Sequence, residues 1–263
     1  MELGLKGRVA LLTAAGSGLG KACASALAAE GAHVVISDVR QEAIDKTTAE
    51  IASQTTAHVL GIRADITSNE DVKKLVDATV SRLGSLDILV VSTGFLPKGQ
   101  LLDLPDEDWG RGLDMALLSA VRLSRAALPH MLKRQWGRIL LLTSTSVKQP
   151  LGEMAMSSVG RIGVAALSKL IANQYSSQGI CAHTVCPGPF LTEGQRDMIA
   201  DMAAKTHVTF DEAEREWIRD IPVGRHGRPE ELGALVAFLA SERASYMTGN
   251  AIQIDGGRVQ SIV

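Results

Sequence analysis

Thr13-Ala14-Ala15-Gly16-Ser17-Gly18-Leu19-Gly20 is the stretch that decides the fold. An apolar run, Val9 to Leu12, leads into it. Leu19, Ala22, Cys23, Ala26 and Leu27 follow at helical spacing, Gly31 supplies a stop, and Val34 to Ile36 is the next apolar run. Strand, glycine turn, helix and strand make one βαβ unit. Glycines at 16, 18 and 20 permit a tight turn and a close approach of backbone to a pyrophosphate, while the helix N-terminus offers unpaired N–H groups and a positive dipole end. Thr13, Gly16, Ser17, Gly18, Leu19 and Gly20 are therefore expected to cradle a dinucleotide.

The same grammar repeats along the chain. Apolar runs at Val59 to Ile62, Ile88 to Val91, Ile139 to Leu142, Ala182 to Val185 and Ile252 to Ile254 bring the expected strands to seven. Ser68 reads as an N-cap with Asp71 three residues on, Val72, Leu75, Val76 and Leu83 as the buried face, and Gly84 as the stop. Such alternation predicts a single α/β domain over 1–263, a Rossmann-type doubly wound parallel sheet with helices on both faces. One departure, about 193–228, is helix-like and charged. It is expected to lie over the carboxyl ends of the strands as a lid, with Met198, Ile199, Met202, Phe210 and Trp217 facing a partly apolar pocket.

Bulk composition narrows the function. The 263 residues are 46% hydrophobic and 21% charged with a net charge of -2, which lacks the basic excess that nucleic acid or an anionic membrane would demand. Cys23, Cys181 and Cys186 are odd in number and have no metal-ligand spacing, so neither a disulfide framework nor a metal site is expected. Met1 to Lys6 shows no basic region before an apolar run, and no stretch of 18 uninterrupted apolar residues follows. The expectation is a cytoplasmic protein acting on a small molecule.

Asp38 ends the second strand, 18 residues after Gly20. A carboxylate there accepts hydrogen bonds from the adenosine ribose hydroxyls and repels a 2′-phosphate, which favours NAD(H) over NADP(H), with Arg40 as the counter-argument. Asp65 and Ile66, after the third strand, are expected at the adenine edge; an aspartate before Ile66-Thr67 also serves simply to shape a turn.

Together with Trp109, Leu128-Pro129-His130-Met131, Gly137-Arg138-Ile139, Pro187-Gly188-Pro189, Thr192, Pro229-Glu230-Glu231-Leu232, Phe238-Leu239-Ala240-Ser241, Thr248-Gly249 and Asp255-Gly256-Gly257, these pieces resemble the short-chain dehydrogenase/reductase family from end to end. The resemblance implies nicotinamide-side contacts from Gly94, Pro187, Gly188 and Thr192. It also implies a homo-oligomer, tetramer or dimer, with the helix carrying Leu232, Leu235, Val236 and Leu239 and the final segment at the subunit interface; pairing with an active paralogue stays open.

The family's catalytic set is an Asn, a Ser, and Tyr-x-x-x-Lys, and the chain departs from it. Ser144 matches the serine. Thirteen residues on stands Ser157 in place of tyrosine, and four further Arg161 in place of lysine; Gly163 and Ser168-Lys169 keep this register. Ala116 stands for the asparagine, Val91-Ser92-Thr93-Gly94 for Asn-Asn-Ala-Gly, and Ala14 for the first glycine of the cofactor turn, a mild change. The pattern is similar to a divergent subgroup with Ser-x-x-x-Arg.

Reducing a ketone leaves an alkoxide that needs a proton, and a phenol near pKa 10 supplies it well. Ser157 is too weak an acid, and Arg161 is too basic to shuttle protons; the guanidinium suits ribose hydroxyls or an oxyanion, or is an ion-paired helix residue. Tyr175 lies on the same expected helix, roughly 27 Å beyond Ser157, and Tyr246 in the C-terminal segment. Lys148, Glu153 or a water are the candidate donors. Three functions follow: an NAD(H)-dependent oxidoreductase interconverting a secondary alcohol and ketone with an atypical acid/base set, a catalytically silent subunit, or a non-redox enzyme on the same scaffold.

Overall fold

The computed structural model describes residues 2–262 and builds one seven-stranded, all-parallel sheet in the order β3-β2-β1-β4-β5-β6-β7. Its strands are β1 (Val9–Leu12), β2 (His33–Asp38), β3 (Val59–Arg63), β4 (Ile88–Val91), β5 (Gly137–Leu142), β6 (Ile180–Pro187) and β7 (Ala251–Ile254). Four of these, β2, β3, β5 and β6, run longer than their apolar cores. Asp38, Arg63, Gly137-Arg138 and Cys186-Pro187 extend the strands beyond the hydrophobic runs while the ladder continues, with Asp38 paired to Arg63 and Pro187 to Ile254.

Alternation along each strand sends neighbours to opposite faces. Ala10 and Leu12, with Val34 and Ile36, pack under α1 (Gly18–Ala29) and α9 (Pro229–Ala240). Leu11 and Val35 pack on the other face, beneath α3 (Asn69–Leu83), α5 (Ser119–Arg134) and α6 (Ala155–Tyr175). Burial on both faces explains why the strands read as continuous apolar runs. The remaining helices are α2 (Gln41–Ala52), α4 (Asp106–Leu113), α7 (Glu193–Thr206) and α8 (Phe210–Ile218), with a π-helical turn, Asp114–Leu118, between α4 and α5. The Ser68 cap is present: its hydroxyl accepts from Asp71 N, and Gly84 closes α3 in the left-handed region at φ 82°.

Helix α9 is turned mostly inward. Leu232, Val236 and Leu239 are fully buried within the chain, while Leu235 and Phe238 are partly buried and Ala234 is exposed, so most of this stripe is core. Gly233 explains the closeness: a Cβ there would come within 2.7 Å of Ala22 O on α1. An apolar face without a cover lies on α6, where Val159, Ile162 and Leu170 are each about half exposed.

Candidate active site

At the carboxyl ends of β1, β2, β4, β5 and β6, across the point where strand order reverses between β1 and β4, lies a cavity of about 690 Å³. This is where an open α/β sheet binds ligands.

The glycine turn forms one end. Ser17 precedes α1 in an extended conformation, and no side chain caps the helix; its hydroxyl instead accepts a bond from Arg40 Nη2 at 3.1 Å. The first amides of α1 therefore face the cavity beside Ser17, Gly18, Leu19 and Gly20, all of which line it. Each glycine has its own reason. A Cβ at Gly16 would stand 2.9 Å from Asp38 Oδ2, one at Gly20 would collide with the Ala14 carbonyl, and Gly18 has φ 57°. Ala14 adopts φ 46°, a left-handed conformation that costs an L residue about 1–2 kcal/mol, so its replacement of glycine is less mild than the sequence suggests.

Thr13 is buried. Its hydroxyl donates to Ser92 O at 2.7 Å and accepts from Ser92 N at 3.1 Å, pinning the ends of β1 and β4 together. Thr13 and Gly16 thus shape the cradle without lining it. Asp38 does line it, with Oδ2 accepting from Gly16 N at 3.2 Å and Oδ1 from Arg40 N at 3.1 Å and Arg40 Nε at 3.3 Å. Val39, half exposed, and Ile66 line the cavity next to it. Asp65 shapes its turn, accepting from Thr67 N and Oγ1 at 2.9 and 2.7 Å, and also borders the cavity.

The other end gathers Thr93, Gly94, Ser144, Ser157, Arg161, Pro187, Gly188 and Thr192. Ser144 follows β5 and caps the short turn Thr145–Val147 by accepting from Ser146 N at 3.2 Å. Among the described residues its hydroxyl donates no hydrogen bond to a side chain or carbonyl. Ser157 reaches the wall but is only 2% exposed, its hydroxyl 2.9 Å from that of Ser146. Arg161 donates to Leu142 O and to Thr93 Oγ1, each at 3.3 Å. Burial pushes its pKa down to about 10, and among the described residues no carboxylate pairs with it. That removes the ion-paired alternative. Ala116 sits buried in the π-helical turn, 3.7 Å from where a Cβ on Gly160 would be, so small groups meet where the family's asparagine is expected.

Lys148 and Glu153 are not among the residues that line the cavity. The lid is also turned differently from expectation. Ile199, Ala203 and Ala213 form a small core of their own with Met202, Phe210 and Trp217, leaving Glu193, Gln195 and Asp197 of α7 toward the cavity. The apolar wall comes instead from Phe95, Leu96 and Pro97 after β4, and from Met115, Met154 and Phe190. Sequence reasoning passed over Thr93, Phe95 and the rest of this apolar wall, and the buried Ser146 behind Ser157; a hydroxyl at 93 where the family has alanine was the available signal for one of them.

A family model described as Enoyl-(Acyl carrier protein) reductase matches residues 13–258. The chain is 34% identical to the uncharacterized oxidoreductase YvaG of Bacillus subtilis over all of both chains. It is 30% identical to dehydrogenase/reductase SDR family member 4 of Oryctolagus cuniculus, covering 96% of this chain and 94% of that one. The crystal structure of L-sorbose reductase from Gluconobacter frateurii, complexed with NADPH and L-sorbose, superposes with a TM-score of 0.96 at 28% identity and full coverage of both chains. With its sheet order, glycine turn and full-length similarity, this chain belongs to the short-chain dehydrogenase/reductase family of oxidoreductases.

Proposed function

We propose that the chain is an NAD(H)-dependent oxidoreductase that interconverts a small secondary alcohol and its ketone with an atypical acid/base set. The observation that carries this reading is the continuity of one cavity from the uncapped N-terminus of α1 to the Ser144 hydroxyl. Backbone amides at one end suit a pyrophosphate, and a hydroxyl with its proton to spare at the other suits a carbonyl oxygen.

The residues fit a dinucleotide. Ser17, Gly18 and Leu19 would hold its phosphates, Asp38 the adenosine ribose, Val39, Asp65 and Ile66 the adenine, and Gly94, Pro187, Gly188 and Thr192 the nicotinamide side. When bound, the nicotinamide supplies or accepts the hydride. In the reducing direction negative charge would develop on the carbonyl oxygen, where the Ser144 O–H would donate a hydrogen bond and hold the oxygen for protonation. Ser157 is held by Ser146 and Arg161 stays charged, so the proton comes from water. Catalysis then rests on stabilised charge, and turnover is slow.

NAD(H) is favoured by Asp38, whose carboxylate would lie against a 2′-phosphate, and by the uncharged Val39 that follows it. The L-sorbose reductase neighbour was solved with NADPH, so the preference rests on these residues of this chain. We also propose a homo-oligomer, dimer or tetramer, closed over the exposed apolar face of α6. One observation favours a second reading, a silent partner subunit: among the described residues no carboxylic acid or phenol hydrogen-bonds to Ser144. Titration with NADH and NADPH, followed by a panel of carbonyl compounds, tests both.

A further inference from the structure

We propose that Arg161 binds a carboxylate of the substrate, which makes short oxo acids and hydroxy acids the class this cavity takes; the inference rests on the oxidoreductase reading above. A guanidinium offers five N–H donors. Arg161 uses two of them, both at 3.3 Å and both to uncharged oxygens. Charge-assisted bonds run shorter, about 2.7–2.9 Å. Its Nε is buried with no partner. Even with burial weakening its hold on the proton, the group stays a cation at neutral pH.

Such a side chain does not help the fold. A part-buried charge with no counter-charge loses hydration and gains little in return, and an apolar residue of similar size would stabilise the chain at least as well. What Arg161 does have is a cavity. It is anchored to Leu142 O, two residues before Ser144, and shares its wall with Thr93, Met115 and Met154. The acids that line the cavity are Asp38 at the end of β2, Asp65 after β3, and Glu193 and Asp197 on α7, and among the described residues none of them pairs with Arg161.

Chemistry selects the ligand. One guanidinium neutralises one negative charge, so a phosphate dianion would leave excess charge against the methionine wall, which is costly to desolvate. A carboxylate is planar, carries a single charge and matches the guanidinium fork. The pyrophosphate has its own amides at α1 and the nicotinamide ribose offers only uncharged hydroxyls, so a carboxylate that meets the Arg161 charge belongs to the substrate. A ligand held by its carboxylate on Arg161 would keep a neighbouring carbonyl or hydroxyl within the region of Ser144.

The test is calorimetric titration of the full chain with pyruvate, acetoacetate and levulinate and with the methyl ester of each, with and without saturating NADH. At least one acid should bind about tenfold or more tightly than its own ester, the size expected of a charge-assisted bond. Arg161→Leu should abolish that difference while unfolding at the same or a higher denaturant concentration, and Arg161→Gln, which keeps length and hydrogen bonding without charge, should abolish it too. Acids and esters that bind alike, no binding of any acid, or an acid preference that survives either variant would overturn the inference. The same titrations report NADH separately. NADH that binds while no acid does contradicts the carboxylate site alone; absent NADH binding contradicts the oxidoreductase reading, and the acid–ester comparison without cofactor still judges Arg161.

Discussion

The hydroxyls of Ser146 and Ser157 lie 2.9 Å apart, both buried, one on the turn after β5 and the other in the first turn of α6. This pair ties the loop that carries Ser144 to the helix that carries Arg161, and it explains how serine fits where the family has a tyrosine. The position is turned into a structural clamp.

Ser157→Ala should therefore cost about 1–2 kcal/mol of stability, because it strands the Ser146 hydroxyl in the interior. Turnover should change far less than it would on losing a proton donor. In a denaturation cycle, adding Ser146→Ala should recover part of the loss; additive losses would show that the two hydroxyls do not depend on each other.

Ser144→Ala removes a hydroxyl whose proton is free to meet a substrate oxygen. With a reacting substrate, kcat should fall by about 10²–10³-fold while the unfolding midpoint moves little. An unchanged rate would take Ser144 out of the reacting centre.

Ala14→Gly should stabilise the chain by roughly 1 kcal/mol, since relief of the left-handed strain exceeds the extra entropy glycine brings to the unfolded state. A lowered melting temperature would mean that the alanine methyl packs usefully enough to outweigh its backbone cost.

Light scattering should return a multiple of 27.9 kDa, and Ile162→Asp, a charge in the exposed face of α6, should shift it toward the single-chain mass. A wild-type monomer at micromolar concentration would remove the proposed interface.

The sheet was legible because each buried strand had to be apolar and each connection needed its glycine or cap: Ser68, Gly84 and the turn at Gly16 to Gly20 carry local physics that a sequence displays. Strand ends were less legible, since Asp38 and Pro187 continue a ladder through backbone bonds that side-chain polarity hides. Spacing cannot say which surface is already covered: the apolar residues of the lid have the right spacing for a pocket-facing role and the α9 stripe for an exposed one, yet Leu232, Val236 and Leu239 are core. Leu232 met α1, and Trp217 met Ile199 and Ala213. At the site, Ser144 and Arg161 were placed from register, while the partners that decide their chemistry, Ser146 and Thr93, come from contacts distant in sequence.

The central claim is a nicotinamide site whose ribose pocket is set by Asp38. Isothermal titration of NADH and NADPH, with the wild-type chain and with Asp38→Ala, tests it most directly. The account predicts that NADH binds at least tenfold more tightly than NADPH and that Asp38→Ala narrows the gap, mainly by admitting NADPH. Equal or tighter binding of NADPH by the wild-type chain would contradict the assigned preference, and failure of both dinucleotides to bind would contradict the site itself.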